Sequence, residues 1–143
     1  MKVTLSSVRG ISLEVPLTPP DEITLTIPRD RALYPVASLV LGGVGIRLNL
    51  TIEHLEDLQL ALETALDRVR SNPVTVTLRV TDGEIEALVG PMRDGVRAEL
   101  AADGDENVGL RRILDALVDH VELETVDGGD WLKMTKAAGR TEA

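Results

Sequence analysis

The sequence contains no cysteine and no phenylalanine, and its aromatic side chains are limited to Tyr34 and Trp131. Without cysteine, the chain has no disulfide framework, no thiolate metal ligand and no thiol nucleophile. With so few rings, it also lacks the platforms on which proteins stack single-stranded nucleic acid. The two histidines, His54 and His120, are too few for a zinc cluster, so we expect no metal site. The core must be built from aliphatic side chains.

Positive charge is also scarce, because 15 lysine and arginine residues stand against 24 aspartate and glutamate residues. The net charge of -9 argues against nucleic-acid binding, which depends on clustered basic side chains over the phosphates. The longest apolar stretch, 37–46, contains three glycines and is too short to cross a membrane. No basic segment followed by an apolar run opens the chain. We therefore expect a cytoplasmic protein that binds neither membranes nor nucleic acid.

What the sequence does contain is a regular succession of strand and helix patterns. Its 143 residues, 43% of them hydrophobic, suffice for one globular domain with its own core. The pattern predicts, in chain order, a hairpin (2–6 and 11–17), a strand (23–27), two helices (31–48 and 51–70), a second hairpin (74–80 and 84–89), a third helix (108–120) and a closing hairpin (121–126 and 131–135). We expect an α+β fold, a two-layer α/β sandwich with three helices on one face of a mixed, mostly antiparallel sheet.

Two details of the predicted helices concern packing. Three glycines between 42 and 45 weaken the first helix, and such a cluster is typical of close packing or a kink. In the second helix an apolar stripe is predicted to face the core, formed by Ile52, Leu55, Leu58, Leu62, Leu66 and Val69. Ala61, Thr64 and Arg68 lie on a different face of that helix.

Four short segments occur in an order that points to a known family. They are Ile27-Pro28 before the first helix, Glu56-Asp57-Leu58-Gln59-Leu60-Ala61 in the second, Val108-Gly109-Leu110 opening the third, and Trp131-Leu132-Lys133-Met134-Thr135-Lys136 in the last strand. Through them residues 23–136 resemble the anti-sigma-factor serine kinases of the histidine-kinase-like (GHKL) ATPase superfamily, bacterial regulators that hold a sigma factor and phosphorylate an anti-anti-sigma partner. The resemblance implies a Bergerat-type sandwich. Residues 1–22 would then be an N-terminal extension and residues 137–143 a disordered tail.

The resemblance implies a Glu-x-x-x-Asn motif in the second helix, in which the asparagine holds magnesium and the glutamate acts as general base. Aligned without gaps, these positions are Thr64 and Arg68. Threonine is not a base near neutral pH, and arginine has no acceptor atom for a cation, although it would attract a carboxylate or a phosphorylated side chain. A shift by one residue would offer the oxygens of Glu63 and Asp67, but it rotates the pair by about 100° around the helix. Solvated helix surface is the simpler interpretation of both acids.

Two further motifs of the family are incomplete. The Asp-x-Gly-x-Gly motif, which binds the adenine amino group, has no acidic residue at its expected place near Pro91. Asp94-Gly95 is either a shifted remnant of that motif or a simple turn. Of the glycine-rich lid that binds phosphates, only Gly109 persists, and the preceding segment 103–107 carries three acids that would repel a triphosphate.

These changes favour a non-catalytic regulatory protein that keeps an anti-sigma-like fold, has lost ATP binding and needs no cofactor. Its partner would be a sigma factor, an anti-anti-sigma-like protein or a second copy of the chain, with the apolar segment 36–46 as a contact surface. The alternative is a divergent ATP-dependent serine/threonine kinase acting on an anti-anti-sigma partner, with ATP and magnesium held by Glu63, Asp67 or Asp94. A third hypothesis has the N-terminal hairpin, 2–17, adding a strand to a neighbour's sheet edge.

Overall fold

The computed structural model describes residues 2–8, 10–16, 21–48, 50–81, 83–102 and 109–137. The acidic segment 103–107 lies outside these residues, and so does the predicted tail beyond Ala137. Ala137 itself ends a strand. Within the described ranges, no helix combines the length and the hydropathy that a membrane crossing requires.

A seven-stranded antiparallel sheet forms one layer of the molecule. Its strands are β1 (Lys2–Val8), β2 (Ile11–Pro16), β3 (Asp21–Ile27), β4 (Val74–Thr81), β5 (Glu84–Gly90), β6 (His120–Val126) and β7 (Gly129–Ala137). They lie in the order β1-β2-β3-β4-β5-β7-β6. The hairpin of β1 and β2 continues the sheet, because β2 also pairs with β3 of the same chain.

In the second layer the described residues form four α-helices, one more than the sequence predicts. A 3-10 turn (Arg31–Leu33) precedes α1 (Tyr34–Arg47), and α2 (Ile52–Leu66), α3 (Val96–Ala101) and α4 (Leu110–Leu117) follow. The side chain of Thr51 caps α2 by accepting a hydrogen bond from the amide of His54 at 3.1 Å. The additional helix, α3, is six residues long, too short for a helical period to stand out in a sequence.

Every neighbouring strand pair is antiparallel, which corrects the prediction of a mixed sheet. The reason lies in the connection from β3 to β4, which consists of the packed pair α1 and α2. Two helices return the chain to the end of the sheet that it left, so that the amide of Arg29 after β3 donates to Asn72 Oδ1 before β4 at 3.0 Å. A single crossover helix would have produced a parallel pair.

The core is aliphatic, as the composition requires, and lies between the helices and one face of the sheet. Alternate strand residues enter it, among them Leu25, Ile27, Val74, Val76, Leu78, Ile85, Ala87, Val89, Leu132 and Met134. On the opposite face, Thr24, Thr77, Leu88 and Lys133 occupy successive strands in register and are partly exposed. The predicted α+β class is therefore confirmed at the level of a helix layer stacked on a sheet.

The buried surface of α2 differs from the predicted stripe. Ile52 is 74% exposed, whereas Ala61, predicted on a different face, is completely buried. The cause is that α2 contacts α1 and α4 as well as the sheet, so a wider part of its circumference is covered. Close packing against α1 is visible at Gly45, where an added Cβ would lie 2.9 Å from Leu55 Cδ1. At Gly43, by contrast, the same atom would meet open space.

Candidate functional site

Thr64 and Arg68, the two positions that the resemblance singles out, both make structural contacts. The Thr64 hydroxyl donates to the carbonyl oxygen of Leu60, one turn earlier in α2, at 2.8 Å. Arg68 follows the end of α2 and reaches back, so that Nη1 donates to the Thr64 carbonyl at 2.9 Å. Its Nε donates to Glu99 Oε2 on α3 at 3.2 Å. Since only 20% of the Arg68 side chain is exposed, this guanidinium is largely enclosed by its partners.

Glu99 binds a second arginine as well, which makes a three-membered cluster of charges. Arg93 Nη2 donates to Glu99 Oε1 at 2.9 Å, and the Arg93 amide donates to the Arg68 carbonyl at 2.7 Å. Partial burial alone would raise the pKa of Glu99, but the hydrogen bonds from Arg93 and Arg68 outweigh it and leave the pKa below its ordinary value. Glu99 is therefore ionised at neutral pH. The cluster links the end of α2 to α3 and to the segment between β5 and α3 through hydrogen bonds and ion pairs.

The shifted acids Glu63 and Asp67 lie on the side of α2 that faces α1. Glu63 accepts a hydrogen bond from the Ser38 hydroxyl of α1 at 3.3 Å. Asp67 forms an ion pair with Arg31 just before α1, with 3.2 Å between Nε and Oδ1. Both acids line one open depression together with Pro35. The structure thus brings Glu63 and Asp67 together, yet on a different side of the helix from Thr64 and Arg68.

Asp94, Gly95 and Gly109 occupy the ends of short helices. Asp94 and Gly95 form the turn before α3, in which Gly95 has a φ of 94°, a left-handed conformation that favours glycine. The Asp94 side chain is completely exposed and lies 3.7 Å from Arg70 Nη1. Gly109 precedes α4, close to the carbonyl of Ala102. Within the described residues, no group of three or more histidines, aspartates and glutamates is arranged to hold a metal ion.

The other residues singled out by their type lie apart from this region. His54 is in the first turn of α2, with a buried Nδ1 that has no partner among the described residues, and His120 is exposed in β6. Trp131 in β7 is partly exposed and packs over Gly90, where an added Cβ would lie 2.7 Å from Trp131 Cδ2. Glycine at position 90 therefore provides the space that the indole ring occupies.

Arginines line a groove at one edge of the molecule that the sequence pattern did not indicate. Its walls are formed by Arg29, Arg31, Tyr34, Asp67, Val69, Arg70 and Arg93. Three of the arginines follow the end of an element: Arg29 follows β3, Arg70 follows α2 and Arg93 follows β5. These positions lie at the same end of the antiparallel sheet, because Ile27, the last residue of β3, pairs with Val74, the first residue of β4. The arginines themselves are visible in the sequence, but only the sheet topology shows that they lie close together.

Backbone hydrogen bonds hold the segments of this groove together. Arg29 Nη1 donates to the Arg70 carbonyl at 2.7 Å, and the Arg70 amide donates to the Pro91 carbonyl at 3.1 Å. Val69 and Met92 form an isolated antiparallel bridge between the same segments. Burial, and next the negative charge of Asp67, raise the pKa of Tyr34. The phenol therefore keeps its proton at neutral pH.

An adjoining ion pair connects α3 with the last hairpin. Arg97 Nη2 donates to Asp130 Oδ1 at 2.7 Å, and the Met92 amide donates to the Asp130 carbonyl at 2.8 Å. The hydrogen bond from Arg97 lowers the pKa of the Asp130 carboxyl and raises that of the guanidinium. These contacts form one wall of a further depression beside the arginine groove, lined also by Arg70, Arg93 and Asp94.

No protein-family model matches the sequence, and a comparison with curated proteins finds no significant match. The likeness to the anti-sigma-factor kinases is thus a prediction that rests on the four segments described above. The geometry of the described residues is the remaining basis for a functional assignment.

Proposed function

We propose that this chain is a non-catalytic regulatory protein that binds another protein and does not use ATP. The observation that carries the proposal is the ion pair of Arg68 with Glu99, at the position where the resemblance expects the magnesium ligand. A guanidinium has no lone pair for a metal ion, and its permanent charge repels one. The Thr64 hydroxyl, at the position of the general base, is engaged with the Leu60 carbonyl.

The kinase alternative would need Glu63, Asp67 and Asp94 to act together on a nucleotide. Asp67 is neutralised by Arg31, and Glu63 accepts a hydrogen bond from Ser38. Asp94 is completely exposed in the turn before α3 and lines a different depression from the one that Glu63 and Asp67 share. No contact among these residues favours magnesium chemistry over the simpler role of surface ion pairs, so we retain the non-catalytic assignment.

The partner that we propose is a sigma factor, an anti-anti-sigma-like protein or a second copy of the chain, met in the cytoplasm. Support for a protein contact comes from α1, on which Leu39 and Ile46 are 76% and 75% exposed. Ala37, Leu41 and Val44 of the same helix are buried, so α1 packs on the core with one side and leaves apolar area on the other. Exposed apolar area of this kind is typical of contact surfaces.

Calorimetric titration with ATP and ADP, each with and without magnesium, tests the loss of nucleotide binding. We expect no magnesium-dependent heat at millimolar nucleotide. Inorganic triphosphate serves as control, because a triphosphate attracted by the arginine groove would bind whether or not it carries adenosine. Micromolar, magnesium-dependent binding of ATP that inorganic triphosphate does not reproduce would overturn the proposal.

A further inference from the structure

The arginine groove concentrates positive charge on a protein that is otherwise strongly acidic. Of the seven residues found to line it in the described part of the chain, four are arginines and one, Asp67, is an acid. The chain as a whole carries a net charge of -9. Since like charges on one surface repel each other, such a concentration costs stability unless acidic side chains or a bound anion compensate it. The groove therefore has the electrostatic character of an anion site.

The four guanidinium groups differ in how far the protein already neutralises them. Arg31 pairs with Asp67, and Arg93 pairs with Glu99. Among the described residues, Arg29 is held by the Arg70 carbonyl, a neutral acceptor. In the part of the chain that the structure describes, Arg70 forms one ion pair, the long 3.7 Å contact with the completely exposed Asp94, and its charge also contributes to the lowered pKa of Asp130. Arg29 has no acidic partner among the described residues and Arg70 has only weak ones, so these two guanidinium groups are the most available to a ligand. Arg29 is also held in place by its hydrogen bond.

The shape and the lining of the groove limit the kind of anion that it can bind. Among the described residues that line it, Tyr34 is the only one with an aromatic ring and is 8% exposed, so this lining offers no surface on which a nucleotide base would stack. A long nucleic acid would meet the acidic remainder of the molecule. A compact group with two negative charges suits converging guanidinium groups best, because arginine binds phosphoryl oxygens through two parallel hydrogen bonds.

The groove also continues at both ends, which indicates that the anion is part of a longer chain. Towards α1 it shares Arg31 and Asp67 with the depression that contains Glu63. Towards the last hairpin it shares Arg70 and Arg93 with the depression that contains Asp94 and Asp130. Carboxylates thus lie beyond the arginines on both sides, Glu63 at one end and Asp94 and Asp130 at the other. A peptide that carries one phosphoryl group between basic residues is complementary to this arrangement.

From these observations we infer that the groove binds a phosphoserine or phosphothreonine side chain of a partner protein, with Arg29 and Arg70 as its main ligands. The inference rests on the proposed function in taking the partner to be a protein. It specifies the chemical group that the partner must carry, a phosphorylated side chain. Tyr34, which lines the same groove and keeps its proton, is a neutral hydrogen-bond donor beside the arginines.

The test uses a fluorescent peptide with a phosphoserine between two lysines, titrated with the full chain and followed by anisotropy. We expect saturable binding that is about tenfold or more tighter than that of the unphosphorylated peptide. A second peptide with glutamates in place of the lysines should bind more weakly. Inorganic phosphate is the third probe. Equal affinity of the phosphorylated and unphosphorylated peptides, or competition by inorganic phosphate at the concentration of the phosphopeptide, would overturn the inference.

Three single variants connect the binding to the groove. Arg70→Gln should weaken phosphopeptide binding by about tenfold, and Arg112→Gln, on an exposed part of α4, should leave it unchanged. Asp67→Asn removes the one acid of the lining and should tighten binding. Unchanged affinity in both Arg70→Gln and Asp67→Asn would contradict a site in this groove. Unfolding curves of all variants, recorded by circular dichroism, confirm that each is folded.

The two proposals fail in distinguishable ways. Magnesium-dependent ATP binding that survives Arg70→Gln would contradict the loss of the nucleotide site and would leave the phosphopeptide result standing. Absence of phosphopeptide binding in a protein that also ignores ATP would contradict the groove alone.

Discussion

Arg68 shows how a residue at a predicted ligand position can acquire a structural role. Its side chain binds the Thr64 carbonyl and Glu99, and its own carbonyl accepts a hydrogen bond from the Arg93 amide. The residue type alone shows that this side chain cannot be a metal ligand, because a guanidinium has no acceptor atom. The partner Glu99 was not predictable, because it lies on α3, a helix too short to be recognised in the sequence.

Replacement of Arg68 by alanine should lower the free energy of unfolding by about 1–3 kcal/mol, since Glu99 loses one of its two charged donors in a partly buried position. Urea denaturation followed by circular dichroism measures the loss. The matched control is Arg112→Ala on α4, where an exposed side chain should change stability by no more than about 0.5 kcal/mol. Equal losses in the two variants would show that Arg68 makes no structural contribution beyond that of a surface arginine.

Glu99 also makes stability depend on pH. Its pKa in the folded protein is below the ordinary value, so the unfolded chain binds the proton more tightly than the folded one. The stabilising contribution is therefore complete above the ordinary pKa of a glutamate, about 4.3, and is lost as the pH falls through the lower folded value. We expect the stability difference between the wild type and Glu99→Gln to be constant near neutrality and to shrink below that pH. A difference that grows on acidification would contradict the assigned direction.

At the scale of elements, the sequence predicts the helices and strands that are long or strictly periodic. The hairpin of β4 and β5 and the helix α2 occur where alternation and helical spacing indicate them. The errors arise where tertiary contacts decide. The second helix stops at Leu66 instead of continuing to residue 70, because the chain turns there to form the Val69–Met92 bridge. The requirement for glycine at position 90 is also set by a tertiary contact, because Trp131 on another strand occupies the space of a side chain there.

Gly90→Ala should displace the indole of Trp131, because an added Cβ would lie 2.7 Å from Trp131 Cδ2. Trp131 is the only tryptophan, so its fluorescence reports the displacement directly. We expect a red-shifted emission maximum and a loss of stability of about 1–3 kcal/mol. Gly43→Ala in α1 is the control, because its Cβ meets open space and should add about 0.5–1 kcal/mol through helix propensity. An unshifted spectrum in Gly90→Ala would show that the ring has room for a methyl group.

At the scale of the whole molecule, the sheet topology determines where charge collects. Arg29, Arg70 and Arg93 are 41 and 23 residues apart along the chain, yet the ends of β3, α2 and β5 bring them to one edge. The net charge of -9 is a property of the whole composition and does not reveal this groove. Composition averages over positions that folding separates, so a negative net charge does not exclude a local site for a small anion.

A ligand that binds only the folded chain must raise its thermal stability. The lysine-flanked phosphopeptide, present at ten times its dissociation constant, should stabilise the fold by about 1.4 kcal/mol, which corresponds to a rise in Tm of about 3–5 °C for a domain of this size. The unphosphorylated peptide at the same concentration should raise Tm by no more than about 1 °C, because its lysines meet the carboxylates beside the groove but it offers no phosphoryl group to the arginines. In Arg70→Gln, which should bind about tenfold more weakly, that peptide concentration equals the dissociation constant, so the stabilisation should fall to about 0.4 kcal/mol and the rise in Tm to about 1 °C. A rise of equal size with both peptides would mean that the phosphoryl group is not what the groove recognises.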